Sequence, residues 1–131
     1  MPSDCFVTVK SMLLTLNYNI SSEDTEQELF VVNDEESGIK NLIIDCEDPI
    51  LVLEQNIMPV PKSPAALFKR LLQMNRFLVH GSFVLDETAT TILFRDTLRL
   101  ENLDANELEG SIEALSLALA ENANELLSFN V

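Results

Sequence analysis

The stretch LFVVNDEESGIKNLIIDCEDPILVLEQNIM, residues 29–58, decides how this chain folds. Its three short runs are rich in β-branched and aromatic side chains, and residues that favour turns separate them. Leu29-Phe30-Val31-Val32 is the first run. Asn33-Asp34-Glu35-Glu36-Ser37-Gly38 interrupts it with side chains that bond their own backbone and with a glycine. Residues 41–46, centred on Leu42-Ile43-Ile44, form the second run, and Glu47-Asp48-Pro49 turns the chain again. Residues 50–58 form the third. There Ile50, Val52 and Glu54 fall on one face, with Leu51 and Leu53 on the other. Three strands joined by short turns make an antiparallel meander.

Working outward, helices are expected on both sides. In residues 3–16 the side chains Phe6, Val9, Leu13 and Leu16 recur at helical spacing, with Ser3 or Asp4 as the cap. Asn17-Tyr18-Asn19 ends that helix, and the acidic residues 22–28 receive no regular element. Downstream, Pro59, Pro61 and Pro64 mark a boundary. Ser63 as N-cap and Pro64 at the first helical position predict a helix ending near Phe77. Leu67, Phe68, Leu71, Leu72 and Asn75 recur along it. His80-Gly81 is a turn, residues 83–86 a strand, and Thr88-Ala89-Thr90 a hairpin loop. Residues 92–95 form a further strand, which Leu98 and Leu100 extend. Asp104-Ala105-Asn106-Glu107 has capping-box spacing, with Asp in place of Ser or Thr. The helix it opens aligns Leu108, Ile112, Leu115, Leu119 and Leu126 and reaches about residue 127. Gly110 inside it costs about 1 kcal/mol against Ala. The predicted order is α-β-β-β-α-β-β-α: an α+β fold with a mostly antiparallel sheet packed on helices.

The 131 residues fit one domain, residues 1–131. At 47% apolar, the chain has enough apolar material for one core and too much for a disordered tail. Twenty-two acidic residues against eight basic ones leave a net charge of -14. That charge argues against nucleic acid or an anionic membrane as partner. The apolar runs are too short for a membrane-spanning helix. Met1-Pro2-Ser3-Asp4 has no basic region of a signal peptide. Cys5 and Cys46 are far apart and in no CxxC pair, so reduced thiols in a cytoplasmic protein are expected.

Little catalytic chemistry is on offer. His80 is the only histidine, and no serine or cysteine motif points to it as a base. It lacks neighbours at metal-ligand spacing, so no metal is expected. Residues 33–38 lack the alternating ligands and terminal Glu of a calcium loop. No glycine-rich phosphate loop exists, so no cofactor is expected. Asp45, Glu47 and Asp48 flank a turn, which explains them without catalysis. A small enzyme using Asp45 and Asp48, or the loop at His80, is a lesser alternative. Two other features stand out. Lys62, Lys69, Arg70 and Arg76 gather at the second helix, whereas no Lys or Arg follows Arg99. The second helix also carries Leu67, Phe68, Leu71, Leu72, Met74 and Phe77, more than one stripe, which leaves a face for another subunit. The first helix has a like surplus in Val7, Leu14 and Tyr18.

Three segments resemble YbjN-like domains, which share the fold of type III secretion chaperones of the Tir chaperone kind. They are FKRLLQMNR at residues 68–76, HGSFVLDE at 80–87 and LFRDTLRLENL at 93–103. The resemblance implies a small acidic bacterial homodimer of the same element order, non-enzymatic, with no catalytic residue to transfer. The expected function is a cytoplasmic binding module. It would be a chaperone-like protein or regulatory adaptor that captures a segment of an unidentified partner polypeptide by strand addition or through apolar side chains. Phe68, Leu72 and Arg76 are the candidate dimer contact. Val7, Leu14 and Tyr18, outside the first helix's main face, are the candidate partner site. The alternative is an acidic mimic of nucleic acid that sequesters a DNA-binding protein, with Glu109, Glu113, Glu121 and Glu125 as its carboxylates.

Overall fold

The computed structural model describes residues 2–129. Helix α1 spans Asp4–Thr15, strand β1 Asn19–Asp24, β2 Leu29–Asp34, β3 Ile39–Glu47 and β4 Ile50–Pro59. Helix α2 spans Ala65–Asn75, strands β5 and β6 Ser82–Leu85 and Thr91–Arg99, and helix α3 Ala105–Ser128. The six strands form one antiparallel sheet in the order β1-β2-β3-β4-β6-β5. The meander and the α+β architecture stand as the sequence predicts, with one strand more.

That extra strand is β1, partly within the acidic stretch that received no element. It pairs with β2, from Asn19 opposite Asn33 to Asp24 opposite Leu29, with an irregularity between Ile20 and Ser22. Backbone hydrogen bonds hold this margin, and Ile20 is its only apolar side chain. With nothing to bury on alternate positions, such a strand leaves no period-2 apolar pattern in the sequence.

Register explains where the core lies. Phe30, Ile44, Leu53 and Asp96 stand side by side across β2, β3, β4 and β6. Phe6 of α1 stacks on Phe30 with ring centroids 4.4 Å apart. Ser111 of α3 donates to the Asp96 carboxylate at 2.6 Å. Both long helices therefore cover the same face of the sheet. Phe6, Val9 and Leu13 are buried from α1, and Leu108, Ile112 and Leu115 from α3, matching the stripes read from spacing.

The caps follow the sequence closely at two helices. The Ser3 hydroxyl accepts the Phe6 N–H, and Asp104 accepts the Glu107 N–H at 2.8 Å. Ser3 also donates its backbone N–H and its hydroxyl to the Glu28 carboxylate, at 2.8 and 2.7 Å, which ties the start of α1 to the head of β2. Helix α2 begins one residue later than expected. Pro64, not Ser63, is its N-cap, no side chain caps it, and the Pro64 carbonyl takes the Phe68 N–H at 2.9 Å. The loop after α2 needs its glycine: Gly81 has φ +74°, and a Cβ there would lie 2.4 Å from the Phe94 ring.

Candidate protein-binding surfaces

Helix α2 lies against β5 at one margin of the sheet, and its Arg70 reaches Glu125 in the C-terminal half of α3. Leu67, Leu71 and Met74 are its buried face. Phe68, Leu72 and Arg76 succeed one another every four residues and form a neighbouring row. Phe68 is half-buried against the core, Leu72 is 73% exposed, and Arg76 is exposed at the helix end. Of the side chains beyond the inner stripe, Met74 turns inward and Phe77 outward. Phe77 at 81% and Val79 at 88% exposure stand just past the helix. Val79 carries no signal in the sequence, because it lies in a turn with no periodicity.

The basic cluster of α2 divides in two. The Arg70 guanidinium forks onto the Glu125 carboxylate of α3, with Nη2 donating to Oε1 at 2.9 Å and Nε to the other oxygen. These hydrogen bonds hold Glu125 below the usual carboxylate range and raise Arg70. Glu125 is thus engaged within the chain. That breaks up the carboxylate row that a nucleic-acid mimic would present. Lys62, Lys69 and Arg76 lie exposed.

On α1, Val7 and Leu14 are seven residues apart and share an outer face, both more than half exposed. Tyr18 does not join them. Asn17 takes a left-handed turn, φ +65°, and the Tyr18 N–H bonds back to the Leu13 carbonyl at 3.0 Å. The ring is half-buried against the core. Burial first, and then Glu109, Glu113 and Asp34, push its hydroxyl up to about 12. The helical spacing that linked Tyr18 to Leu14 ends where the helix does.

The two sheet margins differ. On β5, the Asn75 side chain accepts the Phe83 N–H at 2.8 Å and donates to the Phe83 carbonyl at 3.1 Å. A carboxamide thus occupies the place of a neighbouring strand. Spacing alone had put Asn75 merely in the helical stripe. The β1 margin is polar and irregular, and Lys10 of α1 pairs with its Glu23 at 3.0 Å.

The sheet face opposite Phe30 and Ile44 carries Val31, Ile43 and Val52, with Ile43 exposed. Asp45 sits here, opposite Leu29 and Val52. Its Oδ1 is buried without a hydrogen-bond partner. Burial, then Glu47 and Glu54, push its carboxyl up to about 6. Glu54 itself accepts from Arg95 at 2.9 Å. Asp48 is exposed in the β3–β4 turn, and His80 is exposed before Gly81. Among the described residues no three His, Cys, Asp or Glu side chains converge as metal ligands. No helix of the described residues is long and apolar enough to cross a membrane. Both cysteines are free, and burial raises the Cys46 thiol to about 12.

The family profile CesT_Tir_1 matches residues 2–131. The chain belongs to the CesT_Tir_1 family. Solved structures agree at the level of fold. YbjN from E. coli superposes with a TM-score of 0.71 at 15% identity, over 91% of this chain and 91% of that one. A chain of the HopA1–SchA chaperone–effector complex gives 0.65 at 14% identity, over 91% and 97%. A chain of the complex of the type III secretion chaperone SycH from Yersinia pestis with a YscM2 fragment gives 0.60 at 12% identity, over 95% and 98%. No curated protein matches the chain at a significant level. This CesT_Tir_1 member therefore has the YbjN-like, type III secretion chaperone-like fold that segments 68–76, 80–87 and 93–103 resemble.

Proposed function

We propose that this protein is a non-enzymatic, homodimeric, cytoplasmic binding module of one domain. It acts as a chaperone-like protein or regulatory adaptor that captures a segment of a partner polypeptide. One observation carries the reading: a chain of net charge -14 exposes Leu72, Phe77 and Val79 around the end of α2, and Val7 and Leu14 on α1. Large apolar side chains grouped on otherwise charged elements are costly to leave in water and favour association. The chaperone-like fold supports the same reading.

In this reading Phe68, Leu72 and Arg76 meet their counterparts across a two-fold axis, so each row is covered by its own copy. Val7 and Leu14 take the partner on their shared face, and Tyr18 contributes from its half-buried position after the helix. Capture runs through side chains rather than through β5, where Asn75 already bonds the Phe83 N–H and carbonyl. The test is the mass in solution by light scattering. The wild-type chain is expected at twice the mass of one chain and Leu72→Asp at one, with an unchanged circular dichroism spectrum. A wild-type monomer, or a Leu72→Asp dimer as tight as the parent, overturns the proposal.

A further inference from the structure

Beside its buried stripe, helix α3 has a second, largely apolar row that lines a cleft. The buried stripe runs through Leu108, Ile112, Leu115, Ala118 and Leu126. Beside it, Ser116, Leu119, Ala120, Ala123 and Leu127 recur every three or four residues and face an open cleft of about 530 Å³. Ile57 and Met58, at the end of β4, form the opposite wall. Ala120 and Ala123 leave a floor on which another backbone can approach closely. Leu127 stands 65% exposed at the mouth. From Ser116 to Leu127 this wall runs roughly 16 Å, about three helical turns.

The cleft does not offer its β3 wall to a strand. Gln55 is 4% exposed, and its amide spans the gap where β3 and β4 part. Its Oε1 accepts the Lys40 N–H at 3.0 Å, and its Nε2 donates to the Gly38 carbonyl at 3.1 Å. Two of the backbone groups that an added strand would seek on this wall, the Lys40 N–H and the Gly38 carbonyl, are already bonded. A polypeptide entering here must bring its own backbone hydrogen bonds satisfied, which a helix does.

The electrostatics set the sign of that helix. Glu35 and Glu36 line the cleft against a single cation, Lys40. The last turn of α3, which ends at the mouth, has no basic side chain to offset its negative dipole end. We infer that the α3–β4 cleft is a docking site for a short amphipathic helix of a partner protein, with its apolar face on Ala120 and Ala123 and its Lys or Arg side chains toward Glu35 and Glu36. The inference rests on the protein-binding reading above, and it places a partner site apart from both the α1 and the α2 faces.

The probe is a fluorescein-labelled synthetic helix of about four turns, with leucines at i, i+3, i+4 and i+7 and lysines elsewhere. It is titrated into the full chain by fluorescence anisotropy. Saturable binding is expected, at least about tenfold weaker in Ala123→Trp, which fills the floor. The Glu35→Lys, Glu36→Lys double variant is expected to weaken it severalfold, and Glu87→Lys with Glu101→Lys, equal in charge but remote, to leave it intact. Met58→Glu on the opposite wall gives the same loss as Ala123→Trp and serves if that variant unfolds. Binding undiminished by both wall variants overturns the inference. So does equal weakening by the remote charge pair, or no binding to the wild type. Binding that survives Ala123→Trp but is lost in Val7→Asp, Leu14→Asp overturns the cleft while leaving the binding-module reading standing.

Discussion

Asp45 is a half-buried acid whose Oδ1 has no hydrogen-bond partner. Its carboxyl titrates near 6 against an ordinary 3.8, because burial and then Glu47 and Glu54 disfavour the ionised form. The folded protein therefore holds this proton more tightly than the unfolded chain does. Its contribution to stability is present in acid and is lost as pH rises through about 6. Asp45→Asn is expected to raise the melting temperature at pH 7 and to match the parent below about pH 3, where the carboxyl is neutral in both states. A melting series across that range checks it. The sequence displayed Asp45 as one of several acids beside a proline turn. Nothing in that string tells that Val52 and Leu29 would flank it, because cross-strand neighbours are set by register.

At the scale of elements, Gly110 and Asn75 make opposite predictions. A Cβ at Gly110 would meet nothing within 4 Å, so close packing does not explain that glycine. Gly110→Ala is expected to stabilise the protein by about 1 kcal/mol, read as a shift in denaturant midpoint. Asn75→Ala is expected to cost about 1–3 kcal/mol, since it strips the Phe83 N–H and carbonyl of their partner, and to raise light scattering at high concentration. Most elements were legible from the string. Helical stripes in α1 and α3, caps at Ser3 and Asp104, and β-branched runs in β2, β3 and β4 each carry a local signal. What was not legible lacks one. β1 exists because β2 offers it a backbone ladder. The Asn75 clamp depends on where β5 arrives after the turn. The α3 cleft had a faint mark in the small residues Ala120 and Ala123, three apart, among leucines. Val7, Leu14 and Leu72 are legible as surplus over a single stripe, whereas the placement of Tyr18 depends on the left-handed turn at Asn17, which spacing does not encode.

For the whole molecule, the charge imbalance dominates. Three ion pairs are formed among the described residues: Lys10–Glu23, Arg70–Glu125 and Arg95–Glu54. They leave most of the 22 acidic side chains uncompensated. Repulsion among these opposes compaction and is screened by salt over about 10 Å at 0.1 M. The melting temperature is expected to rise as sodium chloride is added from a few mM to about 0.5 M, and a fall over that range would count against the argument. The same repulsion discourages indiscriminate clustering through Leu72 and Phe77.

The amide of one asparagine also weighs against rim-to-rim growth. Were both rims of the sheet receptive, molecules could join rim to rim in a ribbon without end. With the Phe83 N–H and carbonyl already bonded from within, such growth finds fewer free backbone groups at this rim than at the Asn19–Asp24 rim. A protein that displays oily side chains yet has to stay dispersed gains from that built-in restraint.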